Sequence, residues 1–228
     1  MFIAYFVAGP WQANCYVVSK GEGQEAIAID VGMDAAQRVD TTLAEHHLEL
    51  SAVLLTHGHI DHCAQAGLLA DAHGCPVWVH EADRGLLSDP GKGLSAPMAA
   101  SLDRLIGTRT LSEPAHVECY EPGVGLAVAG LDISVIHAPG HTPGSVLLGL
   151  DSQRGRLLFT GDVLFAGSIG RTDLPGGDDA AMRASLREKI RTAPGQAHVL
   201  PGHGPSTTVK HELENNPYLT DSYLEVQY

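Results

Sequence analysis

The sequence has no CxxC pair, no excess of basic residues, no low-complexity linker and no apolar run long enough to cross a bilayer. Each absence removes a class of protein. Cys15, Cys63, Cys75 and Cys119 lack the spacing of a disulfide framework or a thiol redox motif, so free, buried thiols are expected. Lys and Arg number 14 against 27 Asp and Glu, a formal net charge of −13. Such a chain repels a phosphate backbone or an anionic membrane surface unless metal ions reverse the local field, so neither nucleic acid nor membrane is expected as a partner. The apolar start Met1-Phe2-Ile3-Ala4-Tyr5-Phe6-Val7-Ala8 has no basic flank and meets Gly9-Pro10 too soon to span a membrane. It reads as a strand, and a cytoplasmic location is expected. With no Pro-rich, Ser-rich or single-sign charged stretch to divide them, the 228 residues are expected to form one domain, 1–228.

What is present concentrates in one stretch, Thr56-His57-Gly58-His59-Ile60-Asp61-His62. It follows the apolar run Ala52-Val53-Leu54-Leu55, which reads as a buried strand. Extended backbone sends His57 and His59 to the same side, and a turn into a helix brings Asp61 and His62 round to face them. Imidazole suits zinc, iron and similar metals, and a carboxylate suits a harder or more oxygen-rich position. An isolated buried histidine is commonly only a hydrogen-bonded core residue. Four donors at one strand end exceed what a single open catalytic metal draws from one loop, which points to two metals sharing one site.

Along the chain, residues 3–7, 14–19 and 25–30 read as a meander of strands ending in Asp30. That acid is read either as a turn or capping carboxylate or, with Thr56, as a group that orients a metal ligand from behind. Residues 34–50 carry apolar side chains at helical spacing, with His46 and His47 on the late, solvent-facing turns. A small helix over 64–73 closes at Gly74, and 76–80 is a short strand. Residues 81–112 are broken by glycine and proline and read as loop and short helix, either an insertion over a cleft or a solvated connection. Strands follow at 125–128, 133–136, 146–150 and 156–160, with a turn at Gln153-Arg154-Gly155. A helix over 180–191 with its basic residues on one face and a last short strand before Gly202-His203 complete the order. Three of these strands deliver a donor at their ends: His141, Asp162 and His203. No sequence repeat links the halves, although their similar element order permits a pseudo-symmetric pair of sheets.

HxHxDH at 57–62, GHTPGS at 140–145, GD at 161–162 and GHGP at 202–205 together resemble the metallo-β-lactamase superfamily, in its order and spacing over nearly the whole chain. The resemblance implies an α/β fold, a four-layer αββα sandwich with metals at one edge of the sheets. It also implies that His57, His59 and His141 hold one divalent ion, that Asp61, His62 and His203 hold a second, and that Asp162 bridges them. Zinc is the first expectation, with iron or manganese as alternatives. Asp61 and Asp162 are the expected catalytic carboxylates. The segment 165–173 resembles the GRxD region of glyoxalase II-type hydrolases, which implies a small-molecule thioester substrate. Within it, Arg171 either pairs with a substrate carboxylate or holds its loop through Asp173. Only 25 residues follow His203, where full-length glyoxalase II enzymes carry a helical domain for glutathione. The resemblance at 210–218 is to short glyoxalase II-like proteins, leaving the thiol carrier open between glutathione and another small thiol.

The competing readings share the motif residues. Persulfide dioxygenases are similar to glyoxalase II and use one iron at the positions of His57, His141 and Asp162; the complete donor set for a second metal ranks that reading below the hydrolase. Phosphodiester cleavage, as in ribonuclease Z-like relatives, is opposed by the acidic balance and the lack of a basic arm. A non-catalytic scaffold would have no need of the intact donor set.

Overall fold

Period-two alternation in the first strands decides the architecture, because it gives each strand two apolar faces. β2 (Ala13–Ser19) sends Cys15 and Val17 to one side and Tyr16 and Val18 to the other. β3 (Glu25–Ile29) and β4 (Glu49–Leu54) do the same with Ala28 against Ile29 and Val53 against Leu54. A sheet buried on both faces needs a partner layer on each. The computed structural model, which describes residues 1–121, 123–153 and 155–225, supplies them.

The first sheet runs β1 (Phe2–Ala8), β2, β3, β4, β5 (Val77–Val79), β6 (Val117–Cys119), antiparallel up to β3 and parallel from β3 onward. The second comprises β7 (Leu126–Val128), β8 (Leu131–His137), β9 (Val146–Ser152), β10 (Gly155–Gly161), β11 (His198–Pro201) and β12 (Thr207–Thr208), in the reverse spatial order. Only its β10–β11 pair is parallel. Tyr16, Ile29 and Leu54 meet Leu148 and Phe159 between the sheets. Outside the first sheet pack α1 (Ala36–Glu45) and α3 (Ala66–His73), through Val39, Leu43 and Leu69. Outside the second pack α6 (Asp179–Ser185) and α7 (Val209–Asn215), through Met182 and Val209. This is the four-layer αββα sandwich. The short helices α2 (Ile60–Cys63), α4 (Ala96–Ala99), α5 (Leu102–Ile106) and α8 (Asp221–Leu224) lie in the connections.

Four departures from the sequence reading have physical causes. The helix expected over 34–50 ends at Glu45, because His47 turns into the left-handed region (φ 55°) and releases Leu50 to pair with Ala26 of β3. Leu48 keeps its helical spacing because it packs into the same outer core as Leu43. The segment 81–112 is not a solvated connection: Leu94 and Leu102 pack with Ile60, next to His59, with Trp11 and Met98 beside them. The helix expected over 180–191 keeps α-helical bonding only to Ser185, and its arginines reach the C-terminal segment. Arg183 donates to Asp179 and the Tyr223 carbonyl, Arg187 to the Leu224 carbonyl and Arg191 to Asp221, so the series fastens α8. β6 went unread because it is three half-buried residues long. Of the turn expected at 153–155, Arg154 lies outside the described residues.

The ends of β4, β8, β10 and β11 converge on one edge, where the Val146 N–H donates to the Thr56 carbonyl at 2.8 Å and joins the sheets. The packing behind that edge is testable at Phe159, 1% exposed and edge-on to Tyr16 at 5.1 Å between ring centroids. Phe159→Ala is expected to cost about 3–5 kcal/mol in urea unfolding of chelator-treated protein; a loss below about 1 kcal/mol would contradict a close-packed interlayer.

Candidate metal centre

β3 leads directly into Asp30, 1% exposed and held at φ 58°, a left-handed conformation that a short polar side chain tolerates. Its carboxylate accepts the Thr56 N–H and the Thr56 Oγ1–H, both at 2.8 Å, and lies 3.1 Å from His62 Nδ1. The single hydroxyl proton of Thr56 is thereby used, so Oγ1 can only accept from His57 Nδ1, 3.1 Å away. His57 thus carries its proton on Nδ1 and turns its Nε2 lone pair forward, and His62, with an Nδ1 proton on Asp30, points Nε2 the same way. His141 donates Nδ1–H to the Arg171 carbonyl at 2.8 Å, and His203 donates Nδ1–H to the Gln12 carbonyl at 3.2 Å. His59 is reversed: Nδ1 lies 2.8 Å from His141 Nε2, and the other face of the ring lies against Gly93.

The forward atoms converge. His62 Nε2 is 3.2 Å from His203 Nε2, 3.5 Å from Asp61 Oδ2 and 3.4 Å from Asp162 Oδ1. His203 Nε2 is 3.2 Å from Asp61 Oδ2, and Asp162 Oδ2 is 3.5 Å from His141 Nε2 and 3.6 Å from His203 Nε2. Donors at 2.0–2.1 Å from one ion are separated by about 2.9 Å in octahedral and about 3.4 Å in tetrahedral geometry. The observed spacings fall in and around that span. His57/His59/His141, His57/His62/Asp162 and Asp61/His62/His203 form three overlapping groups, each able to hold a metal ion. His57 Nε2, His59 Nε2 and Asp162 Oδ1 are buried without a hydrogen-bond partner, a costly state that a cation relieves at His57 and Asp162 directly. The residues therefore fit a dinuclear site.

Electrostatics divide the imidazoles. Burial, then repulsion from His62, His141 and His59, pushes His57 well below the usual histidine range. Burial, then His141, lowers His59 to about 3. Burial also opposes charge on His62, yet Asp61, Asp162 and Asp30 outweigh it and raise it to about 10. His203 is raised in the same way, against burial, by Asp61 and Asp162. Burial opposes ionisation of Asp61, but His62 and His203 hold it well below the usual carboxylate range. Metal binding must therefore displace a proton from His62 and competes with protonation at His203, while His57 and His59 are already neutral.

All seven predicted donors meet, and Asp30 and Thr56 stand behind them. Arg171 contributes its carbonyl to His141, while its exposed guanidinium grips Asp173 with bonds of 2.6 and 2.7 Å. Sequence reasoning missed Asp83. Fully buried, it accepts the Gly58 N–H and Gly144 N–H, each at 2.8 Å, and the Thr142 Oγ1–H at 2.7 Å. It thereby ties the loop of His57 and His59 to the loop of His141. No motif marks it, since its partners lie 25 to 61 residues away. At Gly202 a Cβ would overlap Asp162 Oδ1 and come within 2.8 Å of His62 Cε1. The GHGP glycine is there because the backbone passes through the donors.

Two facing sheets with a His/Asp cluster where strands end define the metallo-hydrolase type of fold. Residues 8–208 match the model of the metallo-beta-lactamase superfamily, and the chain belongs to that superfamily. It is 40% identical over 223 residues to an uncharacterized protein of Mycobacterium tuberculosis, covering 96% of this chain and 98% of that one. It is 33% identical over 210 residues to hydroxyacylglutathione hydrolase GloC of Haemophilus influenzae, covering 92% and 93%. Among solved structures, the BLEG-1 B3 metallo-beta-lactamase superposes with a TM-score of 0.82 at 38% identity, covering 96% of this chain and all of that one. TTHA1623 in a di-iron-bound form gives 0.76 at 36% identity, covering 95% and 100%.

Two outcomes follow from this geometry. Asp30→Asn, which withdraws an acceptor from Thr56 and His62, is expected to weaken metal binding by about 10–100-fold in chelator competition; unchanged affinity would show that the Asp30 contacts are irrelevant to the donors. In metal-free protein the folded state keeps His57 and His59 neutral, so their contribution is present above pH ~6.5 and lost as pH falls, by up to about 2.7 kcal/mol per pH unit for two protons. His62 and His203 have the opposite sign: their contribution is complete below pH ~6.5 and lost as pH rises, towards about 10 for His62. Urea midpoints of chelated protein should therefore peak near pH ~6.5. A monotonic trend from pH ~5 to ~9 would contradict this assignment.

Proposed function

We propose that the protein is a dinuclear metal-dependent thioesterase, cleaving S-(2-hydroxyacyl) thioesters of glutathione or another small thiol. The observation that carries the reading is the complete second donor group, Asp61/His62/His203, set beside His57/His59/His141 with Asp162 between them. His57, His59 and His141 would hold one ion, Asp61, His62 and His203 the other, and Asp162 both. Zinc is the first candidate, and iron or manganese suits the same donors. Two divalent ions in such a site supply water acidified to a pKa of about 7 and polarise a carbonyl oxygen.

The chain's own residues do the rest. Asp61, whose Oδ2 stands among the second group's donors, is assigned its other carboxylate oxygen, Oδ1, as acceptor for the proton of the attacking water. The Arg171 carbonyl, Thr56 and Asp30 keep the imidazole lone pairs aimed forward throughout. Ile60, Leu94 and Leu102 form an apolar wall beside His59 that excludes water from that side. Arg171, exposed on its loop, is assigned to a substrate carboxylate in exchange for Asp173.

Likeness to a hydroxyacylglutathione hydrolase over nine-tenths of both chains supports the substrate class. The net charge of −13 opposes a polynucleotide substrate. No helix among the described residues is long and apolar enough to cross a membrane. We place the protein in the cytoplasm, as one domain over 1–228.

Protein purified without added metal should contain about two metal ions per chain and release thiol from S-lactoylglutathione, with activity lost on chelation and restored by zinc. Asp61→Asn should lower kcat by about 10²-fold or more. About one iron per chain, together with oxygen uptake driven by a persulfide, would overturn the reading in favour of sulfur oxygenation.

A further inference from the structure

Besides Asp30 and Asp83, a third buried carboxylate lies away from the donor loops. Glu212, on α7, is 0% exposed. Its Oε2 accepts the Gly167 N–H at 2.8 Å and an Asn216 Nδ2–H at 2.9 Å, and its Oε1 accepts the Thr207 Oγ1–H at 2.7 Å. Desolvating a carboxylate is costly, and this one is kept by the three donors it meets: without it the Gly167 N–H, the Thr207 hydroxyl and the Asn216 amide would lose their acceptor.

What Glu212 holds is the turn at 165–168. The Phe165 and Ser168 N–H groups donate to each other's carbonyls, at 2.9 and 3.4 Å, and Asn216 Nδ2–H, itself bonded to Glu212, donates to the Ser168 carbonyl at 3.1 Å. The turn begins three residues after Asp162. The Phe165 ring lies edge-on to His203, 5.9 Å between centroids. Beyond the turn, Gly170 packs so closely that a Cβ would overlap the Asp162 carbonyl and stand 3.0 Å from His141 Nδ1. The next residue is Arg171, whose carbonyl fixes the His141 tautomer. One carboxylate on α7 thus anchors the segment that abuts Asp162, His141 and His203, one donor from each group and the one between them.

We infer that Glu212 is a positioning residue for the metal centre, acting through the 165–171 segment. This rests on the dinuclear reading of the donors, and the test separates the two. Wild type, Glu212→Ala, Glu212→Gln and Ile190→Ala are loaded with cobalt(II), and bound cobalt per chain and the visible d–d spectrum are recorded. Ile190 is a buried residue of the same outer core, outside the 165–171 segment and without a part in the Glu212 hydrogen bonds, and controls for lost stability. Wild type and Ile190→Ala should bind two cobalt ions with one spectrum. Glu212→Ala should bind its weaker cobalt about tenfold less tightly or worse, with altered bands. Glu212→Gln keeps an oxygen for Gly167 and Asn216 and should restore the wild-type spectrum. If Glu212→Ala fails to fold, Asn216→Ala is expected to move the spectrum in the same direction. Two cobalt ions at wild-type affinity with unchanged bands in the folded variant, or the same change in Ile190→Ala, overturns the inference alone. Wild type that takes up no second cobalt overturns the dinuclear reading and the inference with it.

Discussion

Five imidazoles can face one point only if each is prevented from turning its proton inward. In this chain four of the five, His57, His62, His141 and His203, have Nδ1 committed to an acceptor behind them: Thr56, Asp30 and the carbonyls of Arg171 and Gln12. An imidazole so committed can offer only a lone pair from Nε2, the form a metal requires. The four acceptors come from four segments of chain, far apart in sequence and adjacent only at one edge of the sandwich. The centre therefore depends on the sandwich holding its edge in register, and the apolar layers on both faces of each sheet do that.

Holding such a cluster without a cation is unfavourable. His57 and Asp162 present buried atoms with no partner, His57 and His59 resist protonation, and His62 is charged beside His203. These opposed preferences mean that no single pH relaxes the empty centre. Cations that replace the proton on His62, compete with protonation of His203 and meet the lone pair of His57 remove the conflict at once. Binding free energy of that kind adds to folding stability. The fold tolerates the strain because the donors lie at strand ends, beyond the cross-strand bonds.

How much of this was legible in the sequence follows from the range of each interaction. The seven donors were readable because they sit in short local patterns after apolar runs, and a strand end is a local event. The sandwich was readable from the motif order, and the double-faced burial of β2, β3 and β4 accounts for it. The end of α1 was not, because Leu48 satisfies helical spacing while already outside the helix. Asp83 and Glu212 were not, because nothing local distinguishes a buried acid from a surface one in a chain with 27 of them. Arg171 was singled out for its side chain, whereas its peptide carbonyl makes the contact with His141.

The three buried acids, Asp30, Asp83 and Glu212, share one logic. Loops that carry ligands leave the sheet and strand backbone N–H groups without cross-strand acceptors, and burying those groups unpaired would cost more than the loops could tolerate. A carboxylate has room for several donors on two oxygens, so one side chain can close several such gaps and fix their relative positions. Asp30 takes the N–H of Thr56, Asp83 those of Gly58 and Gly144, and Glu212 that of Gly167. The backbone amides that Asp83 and Glu212 receive are all from glycine, where the absence of a side chain lets the carboxylate approach. Each acid comes from a part of the chain other than the loop it secures: the end after β3, the turn after β5, and α7. The metal loops are thus held by negative charge placed behind them, and the same charge favours positive charge in front.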